Sequence, residues 1–295
     1  MRSLALALLL LCGCSGLPEL DVLTDSDPER SGVDGSDGPL GAALYTGRAL
    51  ARVDDLVPYE VVVPLVDGDV PEGPLPVVVT VQGGFVGPQR YRWLGRHFAT
   101  RGYVTVSAKH DANLALLSRG NSNAALDDVF ADSLRAGHPL EDRLDLSAPA
   151  AVLGHSLGGV TAAALWADDP DRWGLLGILA SFPAGDTDVE QFTDRPSVHL
   201  VGSEDEPEVK REEGFDRFAP PRLFGVVDGM NHYAWTDDAT ERELAGDSPA
   251  LRPDDATRPD AFSVLDAALD GWLLGDPDAL ERLESGSFDG VEVAR

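Results

Sequence analysis

The stretch Val152-Leu-Gly-His-Ser-Leu-Gly-Gly159 decides how the chain is read. A short apolar run, Ala150 to Gly154, leads into it and reads as a strand. A longer run of small and apolar residues, Leu157 to Ala167, leaves it and reads as a helix. Gly154-His155-Ser156-Leu157-Gly158 therefore fits Gly-x-Ser-x-Gly at a strand-to-helix turn. In that setting the serine is forced onto a sharp, strained turn that exposes its hydroxyl. A side chain at 154 or 158 would crowd the neighbouring backbone, so both positions require glycine. Gly159, Ala162, Ala163 and Ala164 are small and let the helix lie close to the sheet. Ser156 is the candidate nucleophile.

Outward from this turn, strand and helix patterns alternate. Pro76 to Gln82 and Tyr103 to Ala108 read as strands before it, with a helix from Gln89 to Arg101 between them and Gly102 at its C-terminal cap. Asn123 is placed to cap a helix carrying Leu126, Val129, Phe130 and Leu134. Leu175 to Ser181, Ser197 to Gly202 and Arg222 to Val227 are later strands, and Pro207 to Phe218 reads as helical. Phe262, Leu265, Leu269, Trp272 and Leu273 form the stripe of a last helix. Ala49 to Val53 and Tyr59 to Pro64 read as a leading antiparallel pair. Such alternation specifies an α/β fold: a mostly parallel, doubly wound sheet with helices on both faces and functional loops at the carboxyl ends of its strands.

A serine nucleophile needs an adjacent base. Of the six histidines, His232 has the best claim, because it follows the last parallel strand on the same sheet edge as Ser156. His155 lies inside the turn and is read as pointing away from the serine side chain. His97 is in a helix, His138 precedes a proline, His199 is in a strand, and His110, after a strand end, is the rival. An acid is expected after the strand ending at Gly202, where Glu204, Asp205 and Glu206 stand together. Asp205 is preferred, Glu206 is the serious alternative and Glu204 the weaker one. The acid would hold the imidazole tautomer and stabilise the imidazolium. An oxyanion site would use the Leu157 N–H and a second N–H, from Phe85 or Gly84, in the loop Gln82-Gly-Gly-Phe-Val-Gly87. No metal or other cofactor is expected.

Gly84 to Val106, together with the Gly-x-Ser-x-Gly turn and Asn231-His232, resembles the α/β-hydrolases. The similarity spans roughly residues 57 to 274. Within that superfamily it resembles bacterial cutinase-like polyester hydrolases, platelet-activating-factor acetylhydrolases, chlorophyllases and dienelactone-hydrolase-like esterases. The resemblance implies a serine carboxylesterase with Ser156 as nucleophile, His232 as base, Asp205 as acid, and Phe85 and Leu157 as oxyanion donors. Three departures are visible. The cutinase-like spacing would put the acid at Glu206. Phe182 stands where those enzymes carry a cleft tryptophan, and their C-terminal disulfide is absent. Only Phe182 to Pro196 separates two strands at the point where a lid domain would be inserted, so no large lid is expected. The expectation is an open, shallow cleft lined by Phe85, Leu157, Phe182, Tyr233 and Trp235, taking an exposed lipid-like or bulky ester. Tyr233 to Pro259 would form a long polar loop that folds over the cleft edge or stays a surface loop. A non-catalytic binding module and a peptidase on the same fold are the competing readings.

The ends and the charge bear on location. Leu4 to Leu11 is an apolar run behind Met1-Arg2, too short to span a bilayer, and reads as a secretory signal over residues 1–13. Leu11-Cys-Gly-Cys14 resembles a bacterial lipoprotein cleavage box, with Cys14 lipidated; Cys12 is the one other cysteine. Residues 14–43 read as a flexible acidic tether and 44–295 as the folded domain. An exported, membrane-anchored envelope protein is expected, as a monomer. Twenty-three Lys and Arg against 51 Asp and Glu give a formal charge of -28, which excludes nucleic acid as a partner. Adaptation to high salt and a coding bias both account for that acidity.

Overall fold

The structure, a computed structural model, describes residues 17–23, 37–52, 55–205 and 212–294. Its ten strands are β1 (Asp21–Leu23), β2 (Gly41–Arg52), β3 (Asp55–Leu65), β4 (Val77–Val81), β5 (Val104–Ala108), β6 (Ala150–His155), β7 (Trp173–Leu179), β8 (Ser197–Gly202), β9 (Arg222–Val227) and β10 (Val291–Ala294). They form one sheet in the order β1-β2-β3-β5-β4-β6-β7-β8-β9-β10. The stretch β5-β4-β6-β7-β8-β9 is parallel, and the strands outside it pair antiparallel. Chain order reverses at β4, and the loops after β4 and β6 leave neighbouring strands there. A crevice at such a switch point is where open α/β sheets bind ligands.

The parallel strands are apolar throughout because both faces are covered. Val77, Val79 and Val81 enter one core while Val78 enters the other; Ala150 and Val152 part from Ala151 and Leu153 in the same way. The helices are α1 (Arg92–Ala99), α2 (Gly120–Asp132), α3 (Leu157–Asp168), α4 (Glu212–Phe215), α5 (Glu241–Leu244), α6 (Asp254–Ala268) and α7 (Pro277–Ser285). Leu126 and Val129 of α2 and Ala162, Leu165 and Trp166 of α3 fill the first core. Trp93 and Phe98 of α1 and Phe262 and Leu265 of α6 fill the second.

Several boundaries differ from the sequence expectation. α2 starts at Gly120, and Asn123 lies inside it rather than capping it. The added turn gives two polar side chains partners: Asn121 donates to the Lys109 carbonyl and Ser122 bonds His110. Asp21–Leu23, within the segment expected to be a tether, pairs with Ala42–Leu44, and Leu23 is buried against Ala42, Leu44, Val62 and Ala99. α7 and β10 had no counterpart in the expectation; β10 closes the far edge on β9. Of Pro207 to Phe218, Glu212–Phe215 is helical, and residues 206–211 lie outside the described residues. Residues 1–16, with the signal segment, Cys12 and Cys14, also lie outside them.

His199 on β8 is 3 % exposed and packs edge-on against Phe215 and Phe218. Burial, aided by the nearby Arg222 charge, lowers its pKa to about 3. The folded value lies below the ordinary one near 6.5, so the native state binds fewer protons between the two. This contribution to stability is intact above about pH 6.5 and is lost as pH falls toward 3, at up to ~1.4 kcal/mol per unit. The expected result is a urea midpoint that falls less steeply from pH 7 to 4 in His199→Leu than in the wild type. Equal slopes would contradict it.

Candidate active site

The turn at Ser156 follows from its glycines. Ser156 has φ 53° and ψ -126°, a strained combination for a residue with a side chain. A Cβ on Gly154 would lie 2.2 Å from the Gly158 carbonyl oxygen, and one on Gly158 would lie 2.2 Å from that of Val81. The Ser156 N–H donates to the Leu179 carbonyl at 2.9 Å, and the Ser181 hydroxyl donates to the Ser156 carbonyl. The Gly159 N–H donates to the same Ser156 carbonyl at 2.9 Å, so the serine is held by β7 and the loop after it on one side and by the start of α3 on the other.

Two further loops meet it. After β8, Gly202 passes so close to the loop after β9 that a Cβ there would lie 2.0 Å from the Met230 carbonyl oxygen. After β9, the Asn231 side chain caps a 3-10 turn, His232–Trp235, by accepting from the Ala234 N–H at 3.1 Å. This turn presents His232 at its start. His232 Nε2 lies 3.0 Å from Ser156 Oγ, and His232 Nδ1 lies 3.1 Å from Asp205 Oδ1. Asp205 is 2 % exposed, and its other oxygen accepts the Gly202 N–H at 2.5 Å. An ionised Asp205 has only acceptors, so Nδ1 carries hydrogen and Nε2 is left to accept from the serine hydroxyl. That polarity is the one a general base requires. Glu204 instead accepts from the Ser203 hydroxyl, and Glu206 is outside the described residues. The rival His110 is buried, bonded to the Ser118 carbonyl and to Ser122.

The model of the alpha/beta hydrolase family matches residues 77–258, more than half of the chain. The chain belongs to that family. No curated protein matches it.

In this hydrolase the Leu157 N–H opens α3, so it has no acceptor within the helix. The Phe85 N–H, expected as the second oxyanion donor, is already committed: it donates to the Asn113 carbonyl at 2.7 Å. Phe85 has φ 64°, a conformation that hands its N–H to the loop after β5. That leaves the other expected donor, Gly84. Its peptide is oriented by the Val86 N–H, which donates to the Gly83 carbonyl at 3.3 Å. A Cβ on Gly84 would lie 2.6 Å from Leu157 Cδ1, so the Gly84 backbone packs against the Leu157 side chain.

The expected lining is divided. Phe85 is 74 % exposed, Leu157 is exposed, and Phe182 and Tyr233 are half-buried. Trp235 does not line the cleft. It is 1 % exposed, in the core with Trp93 and Phe262. Residues 180–196 contain no helix or strand, so nothing of lid size covers Ser156 from there. The segment after Tyr233 is tied down rather than loose. Arg90 donates to the Asp237 carbonyl, Thr236 and Glu243, Asp247 accepts the Tyr233 N–H, and Asn231 donates to the Ser248 carbonyl. Burial pushes the Asp247 carboxyl up, and the Tyr233 N–H and nearby His232 pull it back. Asn113, Ser181 and Asp247 were not singled out in the sequence; each acts through a partner distant in the chain, which no local pattern signals.

Proposed function

We propose that this hydrolase is a serine carboxylesterase. The observation that carries the reading is the hydrogen-bonded series Ser156–His232–Asp205 at a strained turn. Ser156 Oγ attacks the ester carbonyl carbon as His232 Nε2 takes its proton. Asp205 steadies the resulting imidazolium, and the N–H groups of Leu157 and Gly84 receive the carbonyl oxygen as it becomes negative. His232 then gives the proton to the departing alkoxide, releasing the alcohol and leaving an acyl group on Ser156. Water, deprotonated by His232, attacks that acyl group, and the acid leaves as Ser156 regains its proton.

The substrate class we assign is an exposed lipid-like or bulky ester, in keeping with the resemblance to cutinase-like and acetylhydrolase-type esterases. The absence of any helix or strand over residues 180–196 and the exposed Phe85 and Leu157 support an open cleft. Attachment to a membrane through Cys14 is part of the same proposal, and mass spectrometry of the mature N-terminus tests it. For the activity, nitrophenyl esters of graded acyl length, a triacylglycerol emulsion and a polyester film form the test panel. Hydrolysis that extends to long-chain or polymeric esters is expected. No ester hydrolysis between about pH 6 and 9, at low or high salt, would overturn the reading.

A further inference from the structure

His155, inside the Gly-x-Ser-x-Gly turn, contacts the base His232. It is 2 % exposed, its ring centroid lies 4.8 Å from that of His232, and its Nε2 lies 3.1 Å from the His232 backbone carbonyl oxygen. On its other side, Nδ1 lies 2.8 Å from the Tyr91 hydroxyl, and that hydroxyl accepts the Gly83 N–H at 2.9 Å.

The chemistry of these groups allows one polarity. A carbonyl oxygen can only accept, so His155 Nε2 carries hydrogen. A neutral imidazole then has Nδ1 as acceptor, and burial holds His155 neutral by lowering its pKa well below the ordinary value. Tyr91 therefore donates to Nδ1 and uses an oxygen lone pair for Gly83. The chain runs Gly83 N–H to Tyr91, Tyr91 O–H to His155, and His155 N–H to the His232 carbonyl. In this chain both ring nitrogens of His155 and the Tyr91 hydroxyl have partners. Tyr91 is 4 % exposed, so loss of one link would strand buried polar groups.

We infer that Tyr91 and His155 are positioning residues that fix the oxyanion loop and the base relative to the nucleophile through one hydrogen-bond chain. At one end, Gly83 precedes the proposed donor Gly84, and a Cβ on Gly83 would lie 3.3 Å from Ser156 Cβ. At the other end is the backbone of His232 itself. Between them, His155 is the residue before Ser156, so all three loops are referred to the strand that carries the nucleophile. Neither side chain reaches the reacting atoms; both act through Gly84 and His232.

This inference rests on the esterase reading, and the test separates the two. Wild-type hydrolysis of nitrophenyl butyrate is measured first; its absence removes the esterase reading before any variant is compared. Tyr91→Phe is then expected to lower kcat about tenfold, with KM within about twofold and a folded, cooperative melt. His155→Gln keeps one N–H donor and one acceptor and is expected to retain most of kcat, whereas His155→Leu keeps neither and loses at least as much as Tyr91→Phe. Adding Tyr91→Phe to His155→Leu should lower kcat no further, because both break the same chain. With an active wild type, a Tyr91→Phe enzyme whose kcat stays within about twofold overturns the inference. So does a loss expressed wholly in KM, or multiplicative losses in the double variant. If His155→Leu does not fold, Tyr91→Phe and His155→Gln decide alone.

Discussion

Asp205→Ala is expected to lower kcat about 10⁴-fold while leaving the enzyme folded and able to bind ester. Among the described residues, the Asp205 carboxylate is the side chain bonded to His232 Nδ1, and that bond sets the polarity of the ring. Without it, Nδ1–H loses its acceptor, the Nε2–H tautomer becomes accessible, and the imidazolium formed during attack loses the counter-charge hydrogen-bonded to it. Asp205 is buried and also accepts the Gly202 N–H, so the variant needs a stability check. Asp205→Asn supplies it, keeping the shape and an acceptor oxygen while removing the charge. Glu206→Ala is the comparison: its kcat should stay within about threefold of the wild type, as expected of a group outside the mechanism. A larger loss in Glu206→Ala than in Asp205→Ala would reassign the acid.

Gly158→Ala is expected to destabilise the fold by about 3 kcal/mol or more, read as a large drop in the urea midpoint or as insoluble protein. Its Cβ would lie 2.2 Å from the Val81 oxygen and 2.5 Å from the Gln82 oxygen. Both are main-chain atoms at the end of β4, and β4 is hydrogen-bonded to β5 on one side and β6 on the other. No side chain can swing aside to relieve the clash. Gly154→Ala should behave alike, since its Cβ meets the Gly158 main chain. Gly185→Ala, where a Cβ meets nothing within 4 Å, is the control and should be near neutral. A Gly158→Ala midpoint equal to that of Gly185→Ala would show that the turn is not as tightly closed as described.

These two results concern the part of the molecule most legible in the sequence. The Gly-x-Ser-x-Gly turn carries its requirements locally: three residues of backbone clearance account for both glycines. The placing of His232 and Asp205 after the ends of β9 and β8 follows from strand order, because a parallel sheet brings its carboxyl-end loops together. What could not be read depends on partners far away in the chain. Phe85 gives its N–H to Asn113, which stands in another loop. Trp235 packs into the core with Trp93 and Phe262, residues from two distant helices. Asp21–Leu23 looks like linker by composition, yet Leu23 finds a small apolar patch on β2, β3 and α1. His155 was discounted on its place in the turn, and only its distances to Tyr91 and His232 show what its ring does.

The most direct measurement is the site of covalent labelling by a fluorophosphonate. Its phosphorus is attacked by an activated serine, and the adduct is stable to peptide mapping. A single adduct is expected, on the peptide carrying Ser156, absent in Ser156→Ala and formed much more slowly in His232→Ala. An adduct on another residue, or undiminished labelling of Ser156→Ala, would contradict it.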